Sequence, residues 1–222
     1  MSHSLHRFGS KEDLKRDYVI LAMPAKGINE VGSAPSIKKH LEIIRDHNPV
    51  NMGGLRLGKS IEMDPDKIID SVTDGTSTYN GVFTDRETVK EVIRDLIDGQ
   101  VGLSTIISGN YEDSAWIAQE LGIKTHTVNR SLGIWGKKEL LPEPEILEII
   151  TQCGHGMISQ HFVRDCFRRV KDGQDVHKVT LEIGRLCHCA ICNISRAEEI
   201  LLKGLSEKEK KIQTVDQGRI AK

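Results

Sequence analysis

Aromatic residues are scarce: Phe, Trp and Tyr together make up 4% of 222 residues. Proteins that hold single-stranded nucleic acid stack bases on aromatic side chains, so this composition argues against a nucleic-acid platform. An excess of one charge is also missing. Lys and Arg number 31 against 32 Asp and Glu, a net charge of −1, which gives no global pull toward nucleic acid or an anionic membrane. No apolar run approaches the ~20 residues that cross a bilayer. The opening "MSHSLHRFGSKEDLKRD" has no apolar core of the signal-peptide kind. The expectation is a cytoplasmic protein with neither membrane nor nucleic acid as partner. Cysteine is sparse as well. Five thiols, an odd number without an export signal, argue against a disulfide framework.

What is present is an alternation of strand-like and helix-like segments through residues 1–138. "DYVILAM" (Asp17 to Met23), "GVF" (Gly81 to Phe83), "VGLSTIISG" and "IKTHTVN" read as strands. "SIKKHLEIIRDH", "TDRETVKEVIRDLIDG" and "YEDSAWIAQELG" read as helices, the second with Thr84 and Glu87 at capping-box spacing. This order predicts an α/β sheet with parallel pairings. Residues 139–222 read instead as a helical region. Its helices are "PEPEILEIITQ", "MISQHFVRDCFRRVKDG", "QDVHKVTLEIGRL" and "SRAEEILLKGL", the last with Ser195 and Glu198 at capping-box spacing. The charged tail "SEKEKKIQTVDQGRIAK" is expected to fray. The fold class is therefore α/β: an N-terminal sheet domain followed by a helical, cysteine-bearing region.

Three of the five cysteines crowd into "CHCAIC", at Cys187, Cys189 and Cys192. Residues two apart on a helix point roughly 200° apart, so these thiols serve one centre only if the chain leaves the helix there. A turn between a helix ending near Leu186 and a fresh start at Ser195 satisfies that condition. Cys153 lies in a second break, "CGHG", where a helix beginning near Gly156 would lower its pKa. Three local cysteines and one distant one suit a [4Fe-4S] cluster, with zinc as the alternative. The expected metal ligands are Cys153, Cys187, Cys189 and Cys192. Cys166 falls on an apolar helix face and reads as a structural thiol.

The expected function is that of an iron–sulfur protein, an oxidoreductase- or lyase-type enzyme or enzyme component of anaerobic-type metabolism. It would use the cluster for electron transfer or as a Lewis acid on a small anionic substrate, with His155 as the catalytic proton carrier. A non-catalytic, zinc-stapled interaction module is the alternative from another class. "CGHG", Cys153 to Gly156, is also similar to the cysteine motif of proline racemases and hydroxyproline epimerases. That resemblance implies metal-free proton exchange at a substrate Cα, with Cys187 or Cys189 supplying the second thiol. His188, beside Cys187, reads as a solvated side chain, and Arg164, Arg168, Arg169 and Arg185 read as a solvated helix face.

Two strand-to-helix loops are expected to receive the anion: "AKGINEVGSAPS", with Lys26, Gly27, Gly32 and Ser33, and "SGNYEDS", with Ser108 and Asn110. Neither carries a P-loop or a dinucleotide fingerprint. His126, Asn129, Arg130 and Ser131 follow the "IKTHTVN" segment as further candidate contacts. A protein partner or homo-oligomer is a further expectation.

Overall fold

The computed structural model describes residues 6–205. Strands β1 (Tyr18–Met23), β2 (Asn51–Gly54), β3 (Gly58–Lys59), β4 (Tyr79–Phe83) and β5 (Ser104–Ser108) form one sheet in the order β3-β2-β4-β1-β5. The helices in chain order are α1 (Lys11–Leu14), α2 (Ala34–Asp46), α3 (Pro65–Asp70), α4 (Arg86–Asp98), α5 (Tyr111–Glu120), α6 (Pro144–Ile150), α7 (Gln160–Lys171), α8 (Val176–Leu186) and α9 (Ile194–Lys203). The fold is mixed α/β with helices filling the C-terminal half. Among the described residues no helix is long and apolar enough to cross a membrane.

Every neighbouring pair in the sheet is antiparallel, which corrects the expected parallel pairings. The reason lies in the crossovers. β1 and β2 point the same way, as do β4 and β5, so the helical connections do join parallel strands. Each connection skips one place, and the skipped place is filled by a strand of the other unit: β4 between β1 and β2, β1 between β4 and β5. Two interlocked split β–α–β units result, and alternation of elements alone cannot distinguish them from adjacent parallel strands.

β1 is buried along nearly its whole length because both faces of the sheet are covered. Tyr18, Ile20 and Ala22 pack with Ile37, Leu41 and Ile44 of α2 and Val89, Val92 and Ile93 of α4. Val19 and Leu21, with Val82 of β4, point the other way into a core shared with α6–α9. That second core also contains Cys153, Cys166, Cys187 and Cys192. The thiols therefore lie between the helical layer and the back of the sheet.

Some local expectations change. "IKTHTVN" forms no strand. Residues 123–129 run irregularly and largely exposed beyond the edge strand β5, because β-prone residues adopt a ladder only where a partner is presented. Helix α4 is capped by Asp85, whose side chain accepts from Thr88 N, rather than by Thr84. Helix α9 is capped by Asn193, accepting from Arg196 N, rather than by Ser195. The second shift places the cap immediately after Cys192.

Candidate thiol site

Cys153 sits in the turn joining α6 to α7. Helix α6 ends at Ile150 and α7 begins only at Gln160, capped by Ser159. Cys153 thus does not stand at a helix N-terminus as expected. The turn closes with Gly156 N donating to Cys153 O at 3.2 Å, and Gly156 takes φ +67°, a conformation open to glycine without strain. This shape brings the backbone N–H groups of His155 and Met157 to the Cys153 sulfur.

The facing thiols come from the turn joining α8 to α9. Helix α8 stops at Leu186 and Cys187 is extended, as the geometry of Cys-x-Cys requires. The turn closes through Ala190, at φ +59°, with Ala190 N donating to Cys187 O at 3.2 Å. A non-glycine residue in this region carries strain that surrounding contacts must hold. Two sheet residues supply such contacts. Asn80 of β4 donates to Cys189 O at 2.7 Å and Asn51 of β2 donates to Cys192 O at 3.2 Å.

The two turns meet. Cys187 donates to Cys153, and that hydrogen bond, with the two backbone N–H groups, outweighs burial and lowers the Cys153 pKa. The same contact, with burial, raises that of Cys187. Within the pair, the contact favours negative charge on Cys153 over Cys187. Burial pushes Cys192 up to about 12, and it donates to Gln152 Oε1 at 3.4 Å. Cys189, partly exposed, lies 3.2 Å from His155 Nδ1 and has its pKa raised by burial and by the Cys153 charge. Of the expected ligands, Cys153 thus meets Cys187, Cys189 meets His155, and Cys192 bonds Gln152. Cys166 is apart on α7, pushed up to about 12 by burial. Among the described residues, no group of three or more His, Cys, Asp or Glu is spaced to hold a metal ion.

A buried polar network, not anticipated from the sequence, ties the turns to the sheet. Gln152 is fully buried; its Oε1 also accepts from Asn193 N at 2.8 Å, while its Nε2 has no partner. Arg7 donates to the carbonyls of Gln152 and Ile191, the residues immediately before Cys153 and Cys192. Asp17 at the start of β1 pairs with Arg7 and accepts from Arg196 at 2.6 Å and Asn193 at 3.1 Å. The one signal the sequence carried was positional: Arg196 falls with Ala197 and Ile200 on the buried stripe of α9. Arg164, Arg168, Arg169 and Arg185 instead pair with carboxylates at the surface. His188 is exposed.

The two anion loops differ. At α2, the N–H groups of Gly32 and Ala34 already donate to the Asp74 carboxylate at 3.1 and 2.9 Å, and Ser33 Oγ bonds Glu30 O. Lys26 and Gly27 lie exposed in the same loop. An external anion would have to displace Asp74. Ser108 and Asn110 instead line a cavity of about 1380 Å³, together with His126, Asn129, Arg130 and Ser131.

No protein family, curated protein or solved structure matches this chain.

Proposed function

We propose that Cys153, Cys187, Cys189 and Cys192 hold a metal–thiolate centre, most simply a [4Fe-4S] cluster. On this reading the protein is an enzyme or enzyme component of oxygen-sensitive metabolism acting on a small anionic molecule. The observation that carries the reading is the meeting of two turns whose thiols have no regular helical reason to be near one another. Three features suit such a centre. Backbone N–H groups already face the Cys153 sulfur. The orphaned, buried Gln152 Nε2 beside Cys192 is a donor that a cluster sulfur would satisfy. Ala190 holds a strained conformation within the ligand turn. The cluster would supply electron transfer or a Lewis-acidic iron. This chain's residues would enclose it, with His155 placed to carry a proton at Cys189. Binding of the centre would replace the contacts of Cys153 with Cys187, Cys189 with His155 and Cys192 with Gln152.

Purification without oxygen, followed by iron and acid-labile sulfide analysis and a visible spectrum, tests this. About four irons and four sulfides per chain with a broad brown absorption are expected for this cluster type. One zinc and no colour would replace the cluster by the stapled-module reading, and a metal-free protein would remove both.

The hydrogen bond from Cys187 and the backbone N–H groups that lower the pKa of Cys153 favour a second reading, metal-free thiol chemistry with Cys153 as base or nucleophile. Direct hydrogen bonding between the two leaves no room for a substrate carbon between them, so racemase-like proton exchange would require them to part or Cys189 to serve instead. Retention of activity after complete metal removal would favour this reading.

A further inference from the structure

The cavity beside β5 shares a wall with the thiol turns. Arg7 is that wall: its side chain lines the cavity while donating to the carbonyls just before Cys153 and Cys192. The side chain is 5% exposed, yet its Nε has no hydrogen-bond partner. The cavity is also lined by Asn110, the N-cap residue of α5, which makes no side-chain cap and whose buried Nδ2 is likewise unpartnered. The first N–H groups of a helix have no partner within it. The acidic residues of that first turn face elsewhere, Glu112 to Lys11 at 2.6 Å and Asp113 to Tyr18 and Arg86 at 2.8 and 3.2 Å.

Charge within the cavity is one-sided. Arg7, Lys124 and Arg130 line it, and Asp17 is the only carboxylate among the described lining residues. Asp17 is already held by two guanidinium groups. Arg130 lies with its guanidinium carbon 3.9 Å from the centre of the Tyr111 ring, at the start of α5. Ile106 and Val128 add an apolar wall. At about 1380 Å³ the space exceeds that of common small-molecule sites, roughly 300–1,000 Å³.

We infer that this cavity binds an organic oxyanion no larger than a nucleotide. Its phosphate or carboxylate head lies between the α5 N-terminus and Arg130, and its body lies along Ile106 and Val128. This deepens the proposed function, and rests on it only for what the anion is for: Arg7 makes this the face from which a substrate approaches the thiol centre.

The test is a titration of the isotope-labelled full chain with adenosine monophosphate, citrate and inorganic phosphate, followed by amide NMR. The expected result is saturable shifts at Tyr111–Ser114 and Ser131 with one of the two organic anions, binding tighter than inorganic phosphate. Loss of a charge-assisted contact in Arg130→Gln should weaken that binding about tenfold. Lys124→Gln provides a second variant at an exposed position, should Arg130→Gln disturb the fold. No saturable shift at those amides with either organic anion, or unchanged affinity in both variants, would overturn the inference. The readout needs no metal. An iron-free protein that binds the anion keeps this site and loses the cluster; a brown protein that ignores both organic anions does the reverse.

Discussion

Asp17 ties both thiol turns to the sheet through a buried network of side chains. Its fully buried carboxylate joins Arg7, Arg196 and Asn193, and through Arg7 it fixes the carbonyls preceding two of the thiols. Removing one partner from a buried ion network leaves the others uncompensated. Asp17→Asn should therefore cost roughly 3–5 kcal/mol in urea unfolding, whereas a loss below about 1 kcal/mol would show that the network contributes little. Ala190 offers a change of opposite sign. Glycine at φ +59° relieves the left-handed strain of about 1–2 kcal/mol, offset in part by the greater freedom of the unfolded chain. Ala190→Gly should be neutral to about 1 kcal/mol stabilising, and Ala190→Val destabilising. The cysteines were legible because their spacing is short and chemically particular. Arg7, Asn51, Asn80 and Gln152 were not, since each is an isolated polar residue whose partner lies far away in sequence; Asn51, for example, bonds the carbonyl of Cys192.

Helix α2 shows what an element adds beyond its pattern. Its apolar spacing placed Ile37, Leu41 and Ile44 correctly in the core, but His40 shares that buried face. His40 stacks edge-on against Tyr79 at 5.1 Å and meets Thr105 Oγ1 at 3.2 Å. Burial pushes its pKa from 6.5 down to about 4. The unfolded chain therefore takes up a proton as pH falls through 6.5, while the folded chain does not until about 4. Stability should fall over that interval by roughly 2–3 kcal/mol between pH 7 and 4.5. Urea unfolding of wild type and His40→Leu at both pH values checks this: the variant should lose less stability, and equal losses would contradict the assignment. Long helices such as α4 and α7 were legible from periodicity and stop glycines. β2 and β3 were not, because "NMGG" and "GK" are too short to show alternation, and the caps were displaced because Asp and Asn are as good N-caps as Ser and Thr: Asp85 caps α4 one residue after Thr84, and Asn193 caps α9 two residues before Ser195.

Across the whole molecule the sheet is shared. Val19 and Leu21 of β1 and Val82 of β4 belong to the core of α6–α9, while Tyr18, Ile20 and Ala22 belong to the core of α2 and α4. A strand buried on both faces couples the layers, so unfolding should be one cooperative transition. Tryptophan fluorescence, which includes Trp116 of α5, and far-ultraviolet circular dichroism should give coincident midpoints; separated midpoints would mean that the helical layer unfolds alone. The split β–α–β topology, unlike the fold class, was hidden because strand order depends on which element fills a skipped place, and no local pattern records that.

The proposal that four thiols hold one metal centre is tested most directly by X-ray absorption at the metal edge of the full chain purified without oxygen. Sulfur scatterers at about 2.3 Å, four per metal, are predicted, with an iron–iron distance in addition if the metal is iron. A first shell of nitrogen and oxygen, or no bound metal at all, would contradict a centre held by Cys153, Cys187, Cys189 and Cys192.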